Sequence, residues 1–448
     1  MSNLPDNTLS YVDQAQFAGL RALGRWPVLH YIWIYENDFD LDGLRRFHRN
    51  LQHTLLGRLI ERSPLPFGRH RWVTYDGPAD IEIAVSERRR EEVWDWVDER
   101  SFLPIDPELG PPWRLGVQPL VGGGAAVALA FSHVTGDAVA GAMSIVAAVD
   151  GAQHQLGFPP PGSRSLGQAL REDLAVTARS VRDISTAASA SSSLVREEQI
   201  DLTTTSARAG SRMRRSAHRR PVVMPRVFGC IDAKEWDTRA RALGGTPNVL
   251  LAGFATRVGY RLGRVGGDGR AMVWIPVSHR TEGDTRANPL SSIFVYCNPD
   301  EVTQDLVGLR AAVKQALIDL GDPGDTASAG AEALTPFIPK FVLRRLSNSQ
   351  FKLGKPIGCS NVGALPEAAN RPDGSEADFF GIRGGEAELT ESILEMMGGH
   401  NLVSAATLRG KVWFSVASWE VGRANTKAEL IEVVGAALDD FGLAATLE

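Results

Sequence analysis

The sequence predicts an α/β protein of mixed α+β character built in two halves, and three observations lead there. Helix-like and strand-like patterns alternate through residues 1–182 and again through 221–448. Between them, residues 183–220 turn Ser-, Thr- and Ala-rich and then basic (Arg212–Arg220), which reads as a crossover linker. At 448 residues the chain also exceeds what one hydrophobic core serves, about 250–300 residues.

Taken in order, Val28 to Tyr35 reads as a strand, and Leu44, Phe47, Leu51 and Leu55 recur at helical spacing behind a capping Asp40. Trp72 to Tyr75 reads as a strand. The Arg/Glu run at 88–92 opens an amphipathic helix with Val93, Trp94 and Val97 on its apolar side. Ala125 to Phe131 is a continuous apolar run after three glycines, which suggests a buried strand. Ala138 to Val149 has helix composition and stops at Asp150-Gly151. In the second half, helices are expected over Trp236–Leu243, Val249–Leu262 (capped by Thr246 or Asn248), Leu306–Leu320 and 427–440. Strands are expected over Met272–Val277 and Ile293–Cys297, and Arg409-Gly410 is the turn of a hairpin joining Leu402–Leu408 to Lys411–Ser418.

Composition excludes several classes. A net charge of -5 argues against broad nucleic-acid binding, which needs a basic surface. The first thirty residues carry no basic segment followed by an apolar run, so no signal peptide is expected. The apolar stretch Ala125–Val149 is interrupted by His133 and Asp137, and burying two ionisable groups in lipid is costly, so a core segment is expected rather than a membrane span. Cys230, Cys297 and Cys359 are odd in number and far apart, which fits core cysteines in a reducing cytoplasm. There is no P-loop, no G-x-S-x-G, no H-E-x-x-H and no zinc-spaced Cys/His cluster, so no metal is expected. His48 and His53 read as surface residues, and the glycines at 266, 267 and 269 as a turn. The apolar segment 333–345, broken by Pro336 and Pro339, reads as core or as a tunnel lining.

What remains is His133 with Asp137. As bare spacing, H-x-x-x-D is a weak signal among nine histidines. Its place adds value, because His133 falls where a buried strand ends and Asp137 where a helix begins. Both residues also have bland readings, a helix N-cap for Asp137 and a satisfied core histidine for His133.

The segment Ser132-His133-Val-Thr-Gly-Asp137-Ala138 resembles the H-x-x-x-D-G motif of the chloramphenicol acetyltransferase-like superfamily. Its branches include condensation domains, polyketide-associated acyltransferases and wax ester synthase/diacylglycerol acyltransferases. Further segments resemble that superfamily in order along the chain: Leu9–Gln14, Leu59–Arg62 with Trp72-Val73, Pro112–Val117, Trp274–Arg280, Ala287–Ser291 and Cys359–Gly363. The chain departs from the pattern at Ser132, where many relatives carry a second histidine, and at Ala138, where they carry glycine. Asp378–Gly381 only faintly echoes the plant-type D-F-G-W-G.

The resemblance implies two similar subdomains, each a mixed sheet backed by helices, with His133 in a tunnel between them. It implies an acyltransferase in lipid or natural-product biosynthesis that moves an acyl group from a thioester to a hydroxyl or amine. His133 would be general base, and Asp137 a structural support paired with Arg280. Asn288, Ser291, Ser360 and Asn361, from matching segments, are the candidates for substrate and oxyanion contacts. No bound cofactor is implied, because acyl-CoA or a phosphopantetheine thioester serves as co-substrate. An acyl carrier protein is the implied partner, with room for peripheral membrane contact. Two alternatives stay open: a condensation-type, amide-forming catalyst on carrier-bound substrates, and a non-catalytic scaffold of the same fold.

Overall fold

The computed structural model describes residues 6–23, 27–75, 80–152, 156–191, 221–321, 355–386 and 389–448. The first half contains α1 (Tyr11–Leu23), β1 (Pro27–Tyr35), α2 (Leu41–Leu51), β2 (Arg58–Glu61), β3 (Arg71–Thr74), β4 (Glu82–Ile83), α3 (Val93–Arg100), β5 (Trp113–Pro119), β6 (Ala125–Ser132), α4 (Ala138–Asp150) and α5 (Leu166–Ser191). The second contains β7 (Arg226–Asp232), α6 (Ala233–Ala242), α7 (Pro247–Arg261), β8 (Ala271–Ser278), β9 (Leu290–Cys297), α8 (Val307–Leu320), β10 (Ile357–Ala364), β11 (Phe379–Glu386), α9 (Glu391–Met396), β12 (His400–Leu408), β13 (Lys411–Trp419), α10 (Lys427–Asp439) and β14 (Thr446–Leu447). The mixed α/β class is thus the one the chain adopts, as two sheets of mixed strand direction backed by helices.

The first sheet runs β11-β1-β6-β5-β4 and the second β14-β7-β13-β12-β10-β8-β9, with β2 and β3 forming a separate hairpin. β1 lies between two neighbours and is covered on both faces, so it reads as a run of apolar residues rather than an alternation. Leu29, Tyr31, Trp33 and Tyr35 point into the core that includes α2 and α4 residues, while Ile32 and Ile34 point into the core that includes α3 residues. In the second half α7 is buried along most of its length, with Val249 to Gly259 enclosed against the sheet. Its cap is Thr246, whose hydroxyl accepts the Val249 N–H at 3.3 Å, with Pro247 in the first turn. Arg409 and Gly410 both take positive φ, 52° and 70°, as a two-residue hairpin turn requires.

The division of the sequence is not the division of the sheets. β11 comes from the second half yet pairs antiparallel with β1 of the first, with His30 opposite Arg383 and Ile34 opposite Phe379. The second sheet meets it there: the Ser415 hydroxyl donates to the Ile382 carbonyl at 2.9 Å, and Trp413 packs edge-on against Phe379.

The first residues of the expected linker, 183–191, lie within α5, which runs to Ser191, Ala being the best helix former. One expectation is corrected. His48 is not a surface residue but lies on the buried face of α2 with Leu44, Phe47 and Leu51, its ring edge-on to Trp113 at 5.1 Å. His53 is exposed. The remainder of the linker with its arginine run, and the apolar segment 333–345, lie outside the described residues.

Candidate active site

β6 delivers its last residue, Ser132, to the edge of the first sheet, and a turn then carries the chain into α4. Ser132 organises that turn: its carbonyl accepts from the Thr135 hydroxyl (2.8 Å) and the Thr135 N–H (3.0 Å). His133 sits at the start of the turn and is held through its main chain on both sides. Its N–H donates to the Pro27 carbonyl of β1 at 2.9 Å, and its carbonyl accepts from Asn288 Nδ2 at 2.9 Å. The side chain is half-buried and lines a cavity of about 440 Å³.

Asp137 caps α4, its Oδ1 accepting the Ala140 N–H at 2.7 Å. The other oxygen accepts from Arg280 Nη2 at 3.0 Å, and both side chains are only 3% exposed. Arg280 also donates to the carbonyls of Asp284 (3.2 Å), Arg286 (3.1 Å) and Ala287 (2.9 Å), so it shapes the loop that follows β8. The Asp137 N–H returns to the Ala287 carbonyl at 3.0 Å. Beneath this sits Arg58, fully buried against the Trp72 ring, donating to the Thr135 carbonyl at 2.9 Å and to the Thr285 carbonyl. Burial brings its guanidinium down to about 10.

The opposite wall of the cavity comes from the second sheet. Ser291, Ser360 and Asn361 line it together with His133 and Asp137. Ser291 Oγ is engaged with His279 Nε2 at 2.9 Å. Asn361 is exposed and doubly committed: Nδ2 donates to Asn248 Oδ1 at 2.5 Å, and Oδ1 accepts the Gly363 N–H at 2.9 Å. Ser360 is half-buried and pairs in register with Ser404 of β12, which lines the same cavity. Asn288 stands apart, fully buried behind the wall and spending its amide on the His133 carbonyl. Arg280 likewise lies behind the wall, against Asp137. Sequence reading did not single out Ser404, His400 or Gln16, which also line the cavity, nor the role of Asp13, although Asp13 falls within the recognised opening segment.

This fold, two sheets with a cavity between them and an H-x-x-x-D turn on its wall, is shared with condensation domains and with a polyketide synthase associated protein. Among solved structures, the chain is similar over 99% of its length to the whole of the first condensation domain of the CDA synthetase, at 13% identity and a TM-score of 0.54. It is similar over 96% of its length to 97% of polyketide synthase associated protein 5 from Mycobacterium tuberculosis, at 15% identity and a TM-score of 0.51. It also matches 45% of the nonribosomal peptide synthetase FmoA3 over 98% of its own length, at 17% identity and a TM-score of 0.51. No family model matches the sequence, and no curated protein matches it. Among the described residues no helix is long and apolar enough to cross a membrane, and no His/Cys/Asp/Glu group could hold a metal ion.

Proposed function

We propose that the protein is an acyltransferase of lipid or natural-product biosynthesis, with His133 as its general base. The observation that carries the reading is the placement of His133, fixed through its main chain by Pro27 and Asn288 on the wall of a cavity between the two sheets. In the proposed reaction, His133 takes the proton from an acceptor hydroxyl or amine as that group attacks the thioester carbonyl. The carbon–sulfur bond of the tetrahedral intermediate then breaks, and the imidazolium returns the proton to the leaving thiolate. A base so placed contributes about 10²- to 10⁴-fold.

The developing oxyanion needs a donor, worth ~3 kcal/mol where such donors have been removed. Ser360 serves best, because the Ser291 hydroxyl and the Asn361 amide already have partners. Asp137 and Arg280 act as support, and Asn288 acts on the histidine rather than on the substrate. The thioester is a co-substrate, drawn from acyl-CoA or an acyl carrier protein, and no resident cofactor takes part. The three free cysteines suit a reducing cytoplasm.

A second reading, amide formation on carrier-bound substrates, draws on the full-length overlap with a condensation domain. One screen separates the two. Acetyl-, octanoyl- and palmitoyl-coenzyme A, and the same acyl groups on a phosphopantetheinyl carrier protein, are offered with alcohols and amines and the products read by mass spectrometry. Ester formation from coenzyme A donors supports the first reading, and amide formation from carrier-bound donors alone supports the second. No product with any pair, or products undiminished in His133→Ala, would assign the fold to a non-catalytic role.

A further inference from the structure

Helix α1 reaches into the site through a residue that the motif does not account for. Asp13 is 2% exposed, and both oxygens of its carboxylate are used on the loop that follows β8. Oδ2 accepts the Ala287 N–H at 3.0 Å and Oδ1 accepts the Asn288 N–H at 2.9 Å. Bonds from a peptide N–H to a carboxylate are shorter and roughly twice as strong as neutral ones, and two from consecutive residues fix a peptide in both position and tilt.

The two residues so clamped are those that touch the His133 turn. Asn288 donates its side-chain amide to the His133 carbonyl, and that bond alone orients the amide, because its Oδ1 is buried without a partner. The Ala287 carbonyl accepts both the Asp137 N–H and Arg280 Nη2. The imidazole is thus carried on a main chain pinned by Pro27 on one side and by Asn288 on the other. The second pin is set by a carboxylate 275 residues away in the chain.

We infer that Asp13 is the positioning residue of this site: it holds Asn288 so that Asn288 holds the main chain of His133, and thereby aims the imidazole. Asp13 does not line the cavity and does not meet the substrate. The inference rests on the reading of His133 as base, because a misplacement of about 1 Å costs roughly 10²-fold only where the aimed group takes part in the chemistry.

The test compares Asp13→Asn, Asn288→Ala, the double variant, His133→Ala, and Asp440→Asn as a stability control. Asp440 lies in a salt-bridge cluster with Arg257 and Arg261 behind the second sheet. The first readout needs no substrate: the ring Cε1–H resonance of His133, assigned by its loss in His133→Ala. Asp13→Asn is expected to shift or broaden that resonance and to leave the exposed His53 unmoved, while Asp440→Asn leaves His133 alone. The second readout is release of coenzyme A from octanoyl-coenzyme A with decanol as acceptor. There kcat is expected to fall roughly 10²-fold with KM little changed. The double variant should match Asn288→Ala within about twofold, which independent effects would not do.

An unmoved His133 resonance in Asp13→Asn, or kcat losses that multiply in the double variant, overturns the inference. Should Asp13→Asn not fold, Asp13→Ser, which keeps one acceptor, takes its place. Failure of both to fold while Asp440→Asn folds assigns Asp13 to the fold alone and likewise overturns it. Activity that survives in His133→Ala would instead sink the base reading, whereas an inactive His133→Ala beside an unaffected Asp13→Asn would sink only this one.

Discussion

Replacing Asp137 by Ser separates the two jobs of that side chain. A serine hydroxyl can still accept the Ala140 N–H that Asp137 Oδ1 takes at 2.7 Å, so the α4 cap survives at little cost, Ser and Asp being near-equal N-caps. What is lost is the bond from Arg280 Nη2, between groups that are each 3% exposed. Removing one partner of a buried ion pair costs about 3–5 kcal/mol. Arg280 keeps three carbonyl acceptors after the change, which places the loss at the lower end, about 3 kcal/mol. Arg280→Met alone leaves the Asp137 carboxylate buried and should cost at least as much. In the double variant neither charge is stranded, so the pair should show a coupling energy of roughly 2–3 kcal/mol. The assay is urea unfolding of the four proteins, read as midpoint shifts at constant slope. Acyl transfer should collapse in Asp137→Ser, because the loop after β8 loses its ion-pair tie to the turn that bears His133, and the main-chain bond from Asp137 to Ala287 and the Asn288 bond are left to hold it. A coupling energy below about 0.5 kcal/mol would refute the account of Asp137 as more than a cap.

Three further outcomes follow from the packing. Burial holds the His70 imidazole down to about 4, below its ordinary 6.5, so the unfolded chain binds the extra proton first. The stability from neutral His70 is present above pH 6.5 and is lost as pH falls toward 4, and His70→Gln should flatten urea midpoints across that window. A methyl group at Gly141 of α4 would lie 2.5 Å from Phe131 Cζ and 3.0 Å from Tyr31, so Gly141→Ala should destabilise by about 1–3 kcal/mol in the same assay. Burial pushes the Cys359 thiol up to about 12 and raises that of Cys297. In the native protein at neutral pH an aromatic disulfide reagent should therefore label the half-buried Cys230 first, with the other two reacting only on unfolding.

Much of the local structure was legible because the relevant signals are local. Asp40, Thr246 and Asp137 announce helix starts through a hydrogen bond that spans three residues or fewer, and Arg409-Gly410 announces a turn through its backbone preferences. The H-x-x-x-D turn was legible in the same way, and the ordered resemblance carried the fold. What stayed hidden depends on contacts distant in sequence. Nothing in Phe379–Glu386 says that this Gly-rich strand leaves its own half to pair with β1. His48 reads as polar, yet its helical register puts it on the same face as Leu44, Phe47 and Leu51. The segment match offers Asn288 as a substrate contact, and only the three-dimensional arrangement shows its amide turned to the His133 main chain, with Asp13 behind it. In Asn361 and Ser291 the hydrogen bonds to Asn248 and His279 engage side chains that the sequence leaves unassigned.

The central claim is that the His133 imidazole transfers the proton, and chemical rescue tests it most directly. With a donor and acceptor pair identified by the screen and folding verified by thermal melt, His133→Ala should lose about 10²- to 10⁴-fold in kcat. Added free imidazole should restore part of that rate in a saturable way, because the small base can enter the space the side chain leaves. It should not restore Asp137→Ser, in which the imidazole is present but misplaced. Wild-type turnover in His133→Ala would contradict the account.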